Sequence, residues 1–157
     1  MENTCCFFGH RNIVITEELE KNLKIIIESL VQKGVCVFLF GSKSKFNDIC
    51  YEAVSGLKER YSDIRRIYVR AEFPDINEDY EKYLLSFYEE TYYPKKIVNA
   101  GRAVYVERNC EMIEKSGYCF VYYDENNSRA TGKSGTRLAL EFAQKMGRNI
   151  INIREMS

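Results

Sequence analysis

Thr131-Gly132-Lys133-Ser134-Gly135-Thr136 has the composition of an anion cradle. An apolar, strand-like run (Tyr118 to Tyr123) and a polar loop (Asp124 to Ala130) precede it, and a helical pattern from Thr136 to Met146 follows. The first-turn N–H groups of a helix have no intrahelical acceptor, and the aligned peptide dipoles add partial positive charge there. Glycine lets backbone approach a phosphate closely, and Lys133 brings a full charge. The chemistry expected of Lys133, Ser134, Gly135 and Thr136 is therefore retention of a phosphate or ribose-phosphate. The plainer alternative is a strand-to-helix connection in which Thr131 or Ser134 only caps the helix. A P-loop would need glycine at position 127 in G-x-x-x-x-G-K-[ST], and Asn127 stands there.

Three further groups are candidates. Gly9-His10-Arg11 ends the first apolar run: Gly9 allows close approach, Arg11 can fork onto a phosphate, and histidine is a residue type that serves as a general base. No carboxylate or nucleophile lies near His10 in sequence, so ligand contact or a structural turn is preferred to catalysis. Gly41-Ser42-Lys43 opens a second small cationic loop, through Lys45, whose hydroxyls and N–H groups suit ribose or phosphate oxygens; a solvated loop is the alternative. Arg108 and Asn109 sit inside a helical pattern, where asparagine is a poor choice without a partner. They bridge to a ligand, or they form a structural hydrogen-bonded pair. No residue is singled out as catalytic.

The elements that must position these residues follow from periodicity. Thr4 to Phe8 reads as a strand. Thr16 reads as an N-cap, with Leu19, Leu23, Ile26, Ile27, Leu30 and Val31 at helical spacing and Gly34 as the stop. Val35 to Phe40 is continuously apolar, as in a parallel sheet covered on both faces. It leads into a loop through Asp48 and a helix carrying Ile49, Ala53, Val54 and Leu57. Arg65 to Arg70 reads as a third strand. Asp79 to Thr91 reads as a helix, and Tyr80, Tyr83, Phe87, Tyr88, Tyr92 and Tyr93 make the segment very aromatic. Those rings suit a subunit interface or the core, with base stacking as a second use. Ala103 to Lys115 is a helix, Tyr118 to Tyr123 the fourth strand, and Asn149 to Ile153 the fifth. In the helix from Thr136, Leu138, Ala139, Phe142 and Ala143 are expected to face inward. The class is α/β: a parallel sheet of about five strands sandwiched between helices, one domain over 1–157, with an aromatic helical insertion at about 72–100. Ligands of such sheets bind beyond the carboxyl ends of the strands, at a topological switch point. The polar loops after strands one, two and four lie at that end.

Composition narrows the class. The chain has 157 residues, 45% of them hydrophobic and 29% charged, which describes a globular domain with a real core. Lys+Arg and Asp+Glu are 23 each, and a balance near zero argues against nucleic acid as a partner. Six cysteines with no C-x-x-C pair and a single histidine argue against a metal site. Cys5, Cys36 and Cys119 fall in expected strands and read as reduced, in a cytoplasmic protein. The N-terminus lacks the features of a signal peptide, and no run approaches a membrane span, so no membrane partner is expected.

Several stretches resemble the SLOG superfamily, the Rossmann-like group that unites DprA/Smf and Lonely Guy proteins, and within it the short stand-alone SLOG proteins of Firmicutes and their phages. The matching residues are Cys6-Phe7-Phe8-Gly9-His10-Arg11, Phe40-Gly41-Ser42-Lys43-Ser44-Lys45-Phe46, Tyr68-Val69-Arg70-Ala71-Glu72, Tyr92-Tyr93-Pro94, Tyr105-Val106-Glu107-Arg108-Asn109, Lys133-Ser134-Gly135-Thr136 and Ile150-Ile151-Asn152-Ile153. The resemblance implies a Rossmann-like sheet, a homo-oligomer, no cofactor, and a nucleotide-derived ligand such as a cyclic ADP-ribose isomer or a cyclic nucleotide. That ligand would be sensed or sequestered in phage defence or anti-defence; with no effector domain in 157 residues, sequestration is slightly favoured. The alternative is a Lonely Guy-like nucleoside-monophosphate phosphoribohydrolase, whose motif is Pro-Gly-Gly-x-Gly-Thr-x-x-Glu. Aligned on Gly135-Thr136, that motif puts Thr131 at the proline and Ala139 at the glutamate. Glu141 lies two residues later, about 200° around the helix, which favours binding over hydrolysis. Ser116-Gly117 replaces the Ser-Asp that the family tends to carry before the fourth strand.

Overall fold

A computed structural model describes residues 1–41, 43–97, 103–127 and 135–156. The elements in chain order are β1 (Thr4–Gly9), α1 (Glu17–Gln32), β2 (Val37–Phe40), α2 (Lys45–Leu57), β3 (Arg65–Val69), α3 (Glu78–Leu85), β4 (Glu90–Tyr92), α4 (Val104–Lys115), β5 (Tyr118–Tyr122), α5 (Gly135–Lys145) and β6 (Asn149–Asn152). Short 3-10 turns follow β4, β5 and β6.

All strand pairs are parallel, in the order β4-β3-β2-β1-β5-β6. The architecture is Rossmann-like. From β1 the chain steps outward through β2, β3 and β4, then returns to place β5 on the other side of β1. The order reverses between β1 and β5, so the loops leaving these neighbours part and open a crevice.

Alternation along the strands builds two cores. Cys5 and Phe7 of β1 face one way, with Phe38 and Phe40 of β2 and Phe120 of β5, against Leu23, Ile27 and Leu30 of α1 and Phe46, Cys50 and Val54 of α2. Cys6 and Phe8 face the other way, with Leu39, Val69, Cys119 and Val121, against Met112 and Ile113 of α4 and Ala139 and Ala143 of α5. The central strands are covered on both faces, and this is why they read as continuous apolar runs.

Local signals set the helix ends. Thr16 Oγ1 accepts from the N–H of Leu19 at 3.0 Å, and Gly34 ends the turn after α1 at φ 107°. Ser44 Oγ accepts from the N–H of Asn47 at 3.0 Å and starts α2 at Lys45. The loop after β2 is therefore shorter than its polar sequence implies, and Lys45 belongs to the helix.

The structure differs from expectation in three further places. The sheet has six strands, because the helix expected through Thr91 ends at Leu85 and the chain then forms β4 on the β3 edge. Three half-buried residues, Glu-Thr-Tyr, carry no alternation to announce that strand. Leu138 is 37% exposed, whereas Ala139 and Ala143 are buried; α5 packs its small residues and leaves the larger one outside. Cys36 lies just before β2 and is half-buried. Among the described residues no helix is long and apolar enough to cross a membrane.

Candidate functional site

A cavity of about 420 Å³ opens at the carboxyl ends of β1, β2 and β3. The turn after β1 gives it Gly9, His10 and Arg11, and the turn after β2 gives Gly41, Lys43 and Ser44. Residues Arg70 to Phe73 come from the turn after β3, Tyr80 from α3, Tyr105, Arg108 and Asn109 from α4, and Gly135 and Thr136 from the first turn of α5. Loops distant in sequence converge because parallel strands put their carboxyl ends side by side. Of the expected site residues, Gly9, His10, Arg11, Gly41, Lys43, Arg108, Asn109, Gly135 and Thr136 line this one cavity. Ser42, Lys133 and Ser134 lie outside the described residues.

Arg108 dominates the electrostatics. It is 5% exposed. Its Nη1 donates to the Gly41 carbonyl and its Nε to Asn109 Oδ1 at 3.2 Å, with the guanidinium carbon 5.7 Å from the centre of the Tyr105 ring. Among the described residues no carboxylate forms an ion pair with it. Burial pushes its pKa down, while Tyr68, Tyr105 and Glu72 push back. Arginine still stays charged in proteins. A buried charge without a counterion is costly, so the wall of this cavity is poised to receive an anion. The mid-helix Asn109 is explained as well: it is the acceptor that orients Arg108.

Two glycines serve packing. A Cβ on Gly41 would lie 2.7 Å from Arg108 Cδ and 3.0 Å from Met112 Sδ, so Gly41 is the gap through which Arg108 reaches the cavity. A Cβ on Gly9 would lie 2.7 Å from Phe46 Cδ2, so its missing side chain makes room for the α2 core. At Gly135 a Cβ would meet no protein atom within 4 Å.

His10 is 8% exposed, and its Nε2 accepts from the Asp124 N–H at 2.9 Å. The same Nε2 lies 3.3 Å from the Asp124 carbonyl oxygen. The His10 N–H donates to the Tyr122 carbonyl at 3.2 Å. Histidine thus pins the β1 turn to the β5 turn at the switch point, with its Nε2 against the Asp124 backbone.

One wall is aromatic: Tyr80 is among the rings for which base stacking was the second expected use, whereas Tyr68, Phe73 and Tyr105 were not singled out for it. Tyr68, Phe73, Tyr80 and Tyr105 line the cavity, and the rings of Phe73 and Tyr80 meet edge to face at 6.1 Å. The aromatic segment divides by function. Tyr80 faces the cavity, Tyr88 packs between Tyr51 and Tyr68 at 5.1 and 5.2 Å, and Tyr83 and Phe87 are exposed. Glu72 was also missed, and it accepts a hydrogen bond from the Tyr105 hydroxyl. That bond raises the Tyr105 pKa. The signal for Tyr68, Glu72 and Tyr105 was present only as stretches like the family's, because no local pattern places them beside Arg108.

Ala139 is 3% exposed and packs in the core, while Glu141 reaches Arg137 at 3.7 Å. Among the described residues no group of three or more His, Cys, Asp or Glu could hold a metal ion. The cysteines are free; Cys6 and Cys119 face each other at 3.7 Å across β1 and β5, and burial pushes the Cys5 and Cys50 thiols up.

No protein-family model matches the chain, and no curated protein matches it in sequence. Among solved structures it is similar to DNA processing protein A from Helicobacter pylori, described for its single-stranded DNA binding mode. The TM-score is 0.58 at 16% identity, over 94% of this chain and 63% of that one. The two share a fold, and this chain spans under two thirds of the other. The expectation that nucleic acid is excluded as a partner is corrected by this neighbour, a protein described for binding single-stranded DNA. The exclusion rested on net charge, which averages over the whole surface, whereas phosphate recognition depends on local arrangement. Here Arg11, Lys43, Arg70 and Arg108 converge on one cavity in a chain of zero formal net charge.

Proposed function

We propose that this chain is a SLOG-type protein that binds a nucleotide-derived small molecule in the cavity at the carboxyl edge of its sheet. The observation that carries this reading is Arg108: a guanidinium 5% exposed, lining the cavity, with no ion-paired carboxylate among the described residues. A ligand phosphate supplies the missing counter-charge, with Arg11, Lys43 and the first turn of α5 at Gly135 and Thr136 beside it. The aromatic wall of Tyr68, Phe73, Tyr80 and Tyr105 suits a base. A cavity of about 420 Å³ falls in the range of small-ligand sites, roughly 300–1,000 Å³. On the residue resemblance, the ligand is a cyclic ADP-ribose-type or cyclic nucleotide signal, sensed or sequestered in phage defence or anti-defence. Hydrolysis of the Lonely Guy kind is disfavoured by the buried Ala139.

A second reading is single-stranded DNA, favoured by the fold shared with DNA processing protein A. The two separate in one experiment. The protein is incubated with ribonucleotides, cyclic nucleotides, ADP-ribose isomers and a short oligodeoxythymidylate. Thermal shifts are recorded, and the small molecules are recovered for mass spectrometry. A shift with an intact mononucleotide or ADP-ribose compound supports the proposal. A released base means hydrolysis, and a shift with the oligonucleotide alone means the DNA reading is correct.

A further inference from the structure

We infer that Glu72 selects ribose over deoxyribose, making the ligand class of the cavity ribonucleotides with a free 2′,3′-diol; this rests on the nucleotide-binding reading above and narrows it to mononucleotides and ADP-ribose compounds, leaving out 3′,5′-cyclic nucleotides. Glu72 is the one carboxylate among the described residues lining a cavity otherwise furnished with Arg11, Lys43, Arg70 and Arg108. Among the described residues it forms an ion pair with none of them. Its Oε1 accepts from the Tyr105 hydroxyl, and its Oε2 has no hydrogen-bond partner there. A carboxylate in a phosphate site repels the phosphate unless it serves a different part of the ligand.

Its position is built. Arg70 Nε donates to the Phe73 carbonyl at 3.1 Å, Nη2 to the Pro74 carbonyl at 3.4 Å and Nη1 to Thr91 Oγ1 at 3.3 Å, bracing the turn that carries Glu72. Ala71, 4% exposed, anchors the same turn in the protein. Tyr105 then separates the two charges: Arg108 lies over its ring and Glu72 at its hydroxyl. A cation and a carboxylate at the two ends of a tyrosine match a nucleotide, whose phosphate and cis-diol stand at opposite ends of the sugar. An ionised carboxylate is an acceptor only, so it pairs with the two hydroxyl donors of the diol. A 2′-deoxy sugar offers one fewer. Acidic side chains at a strand's carboxyl end hold ribose hydroxyls in other dinucleotide sites by the same logic.

The test uses matched pairs: AMP, GMP, CMP and UMP against their 2′-deoxy forms, titrated calorimetrically into the intact chain. The expected result is ribonucleotides binding about ten- to a hundredfold tighter, the scale of a hydrogen bond to a charged group. Glu72→Gln should bring that ratio toward one, and Tyr105→Phe, which removes the bond orienting the carboxylate, should lower it partway. Circular dichroism and Tm of each variant confirm folding. A ratio near one in the native protein, with binding still lost in Arg108→Met, overturns this inference and leaves the nucleotide-binding reading intact. Discrimination that follows the base, or a preference for the deoxy forms, overturns it too. No binding by any of the eight nucleotides overturns this inference, and no binding by ADP-ribose or a cyclic nucleotide either overturns the nucleotide-binding reading as well.

Discussion

At the scale of single residues, Arg108 and Gly41 act as a unit. The arginine reaches the cavity only because position 41 lacks a side chain, and the Gly41 carbonyl takes one of its N–H donors. Gly41→Ala would force a Cβ within 2.7 Å of Arg108 Cδ. The expected loss is about 1–3 kcal/mol, the usual effect of overpacking, read as a lower urea midpoint. If the arginine shifts to make room, nucleotide affinity falls with it. Gly41 and Arg108 were both legible as candidates: one ends an apolar run, and the other is a charged residue in an amphipathic helix. Their mutual contact was not, because 67 residues separate them. Glu72 and Tyr105 were harder still, since an exposed glutamate and a tyrosine are ordinary surface residues until the fold brings them together.

At the scale of elements, caps and one ion pair hold the cavity's frame. Ser44 caps α2 from the cavity rim. Ser44→Ala should lower stability by about 1 kcal/mol, measured by chemical denaturation. The β4 edge is fastened by Glu89, whose carboxylate accepts from Arg66 Nη2 at 2.7 Å and from the Arg66 N–H at 2.8 Å. Burial works against its charged form, but the bonds from Arg66 and the nearby Lys58 outweigh it, and its pKa is lowered. A depressed folded-state pKa gives stability that is fully present above the ordinary carboxylate range and is lost as pH falls through the folded value. Native protein should therefore lose more stability than Glu89→Gln between neutral pH and about pH 3; equal losses in urea titrations at the two pH values would contradict the assignment. The central strands and the helices were readable because their apolar periods are long. β4 was not, because three residues on a sheet edge have no room for a pattern, and the tyrosines before it fit helical spacing equally well.

At the scale of the whole molecule, topology explains why the candidates meet. Parallel order brings every carboxyl end to one rim, and the reversal between β1 and β5 opens it. Charge is the scale at which sequence reasoning misled: a zero total concealed a cluster of four cations on one cavity. That cluster also sets the expected response to salt. A mononucleotide held by a few cations in one cavity should lose much less affinity between 50 and 200 mM salt than a DNA strand tracking a basic surface, which loses orders of magnitude. The measurement that bears most directly on the central claim is calorimetric titration of the intact protein and of Arg108→Met with AMP and ADP-ribose. Saturable one-site binding in the native chain, weakened at least about tenfold in the folded variant, is the expected result. Equal affinity in the two proteins would contradict the assignment of Arg108 as the anion-binding residue, and so the account of this cavity as a nucleotide site.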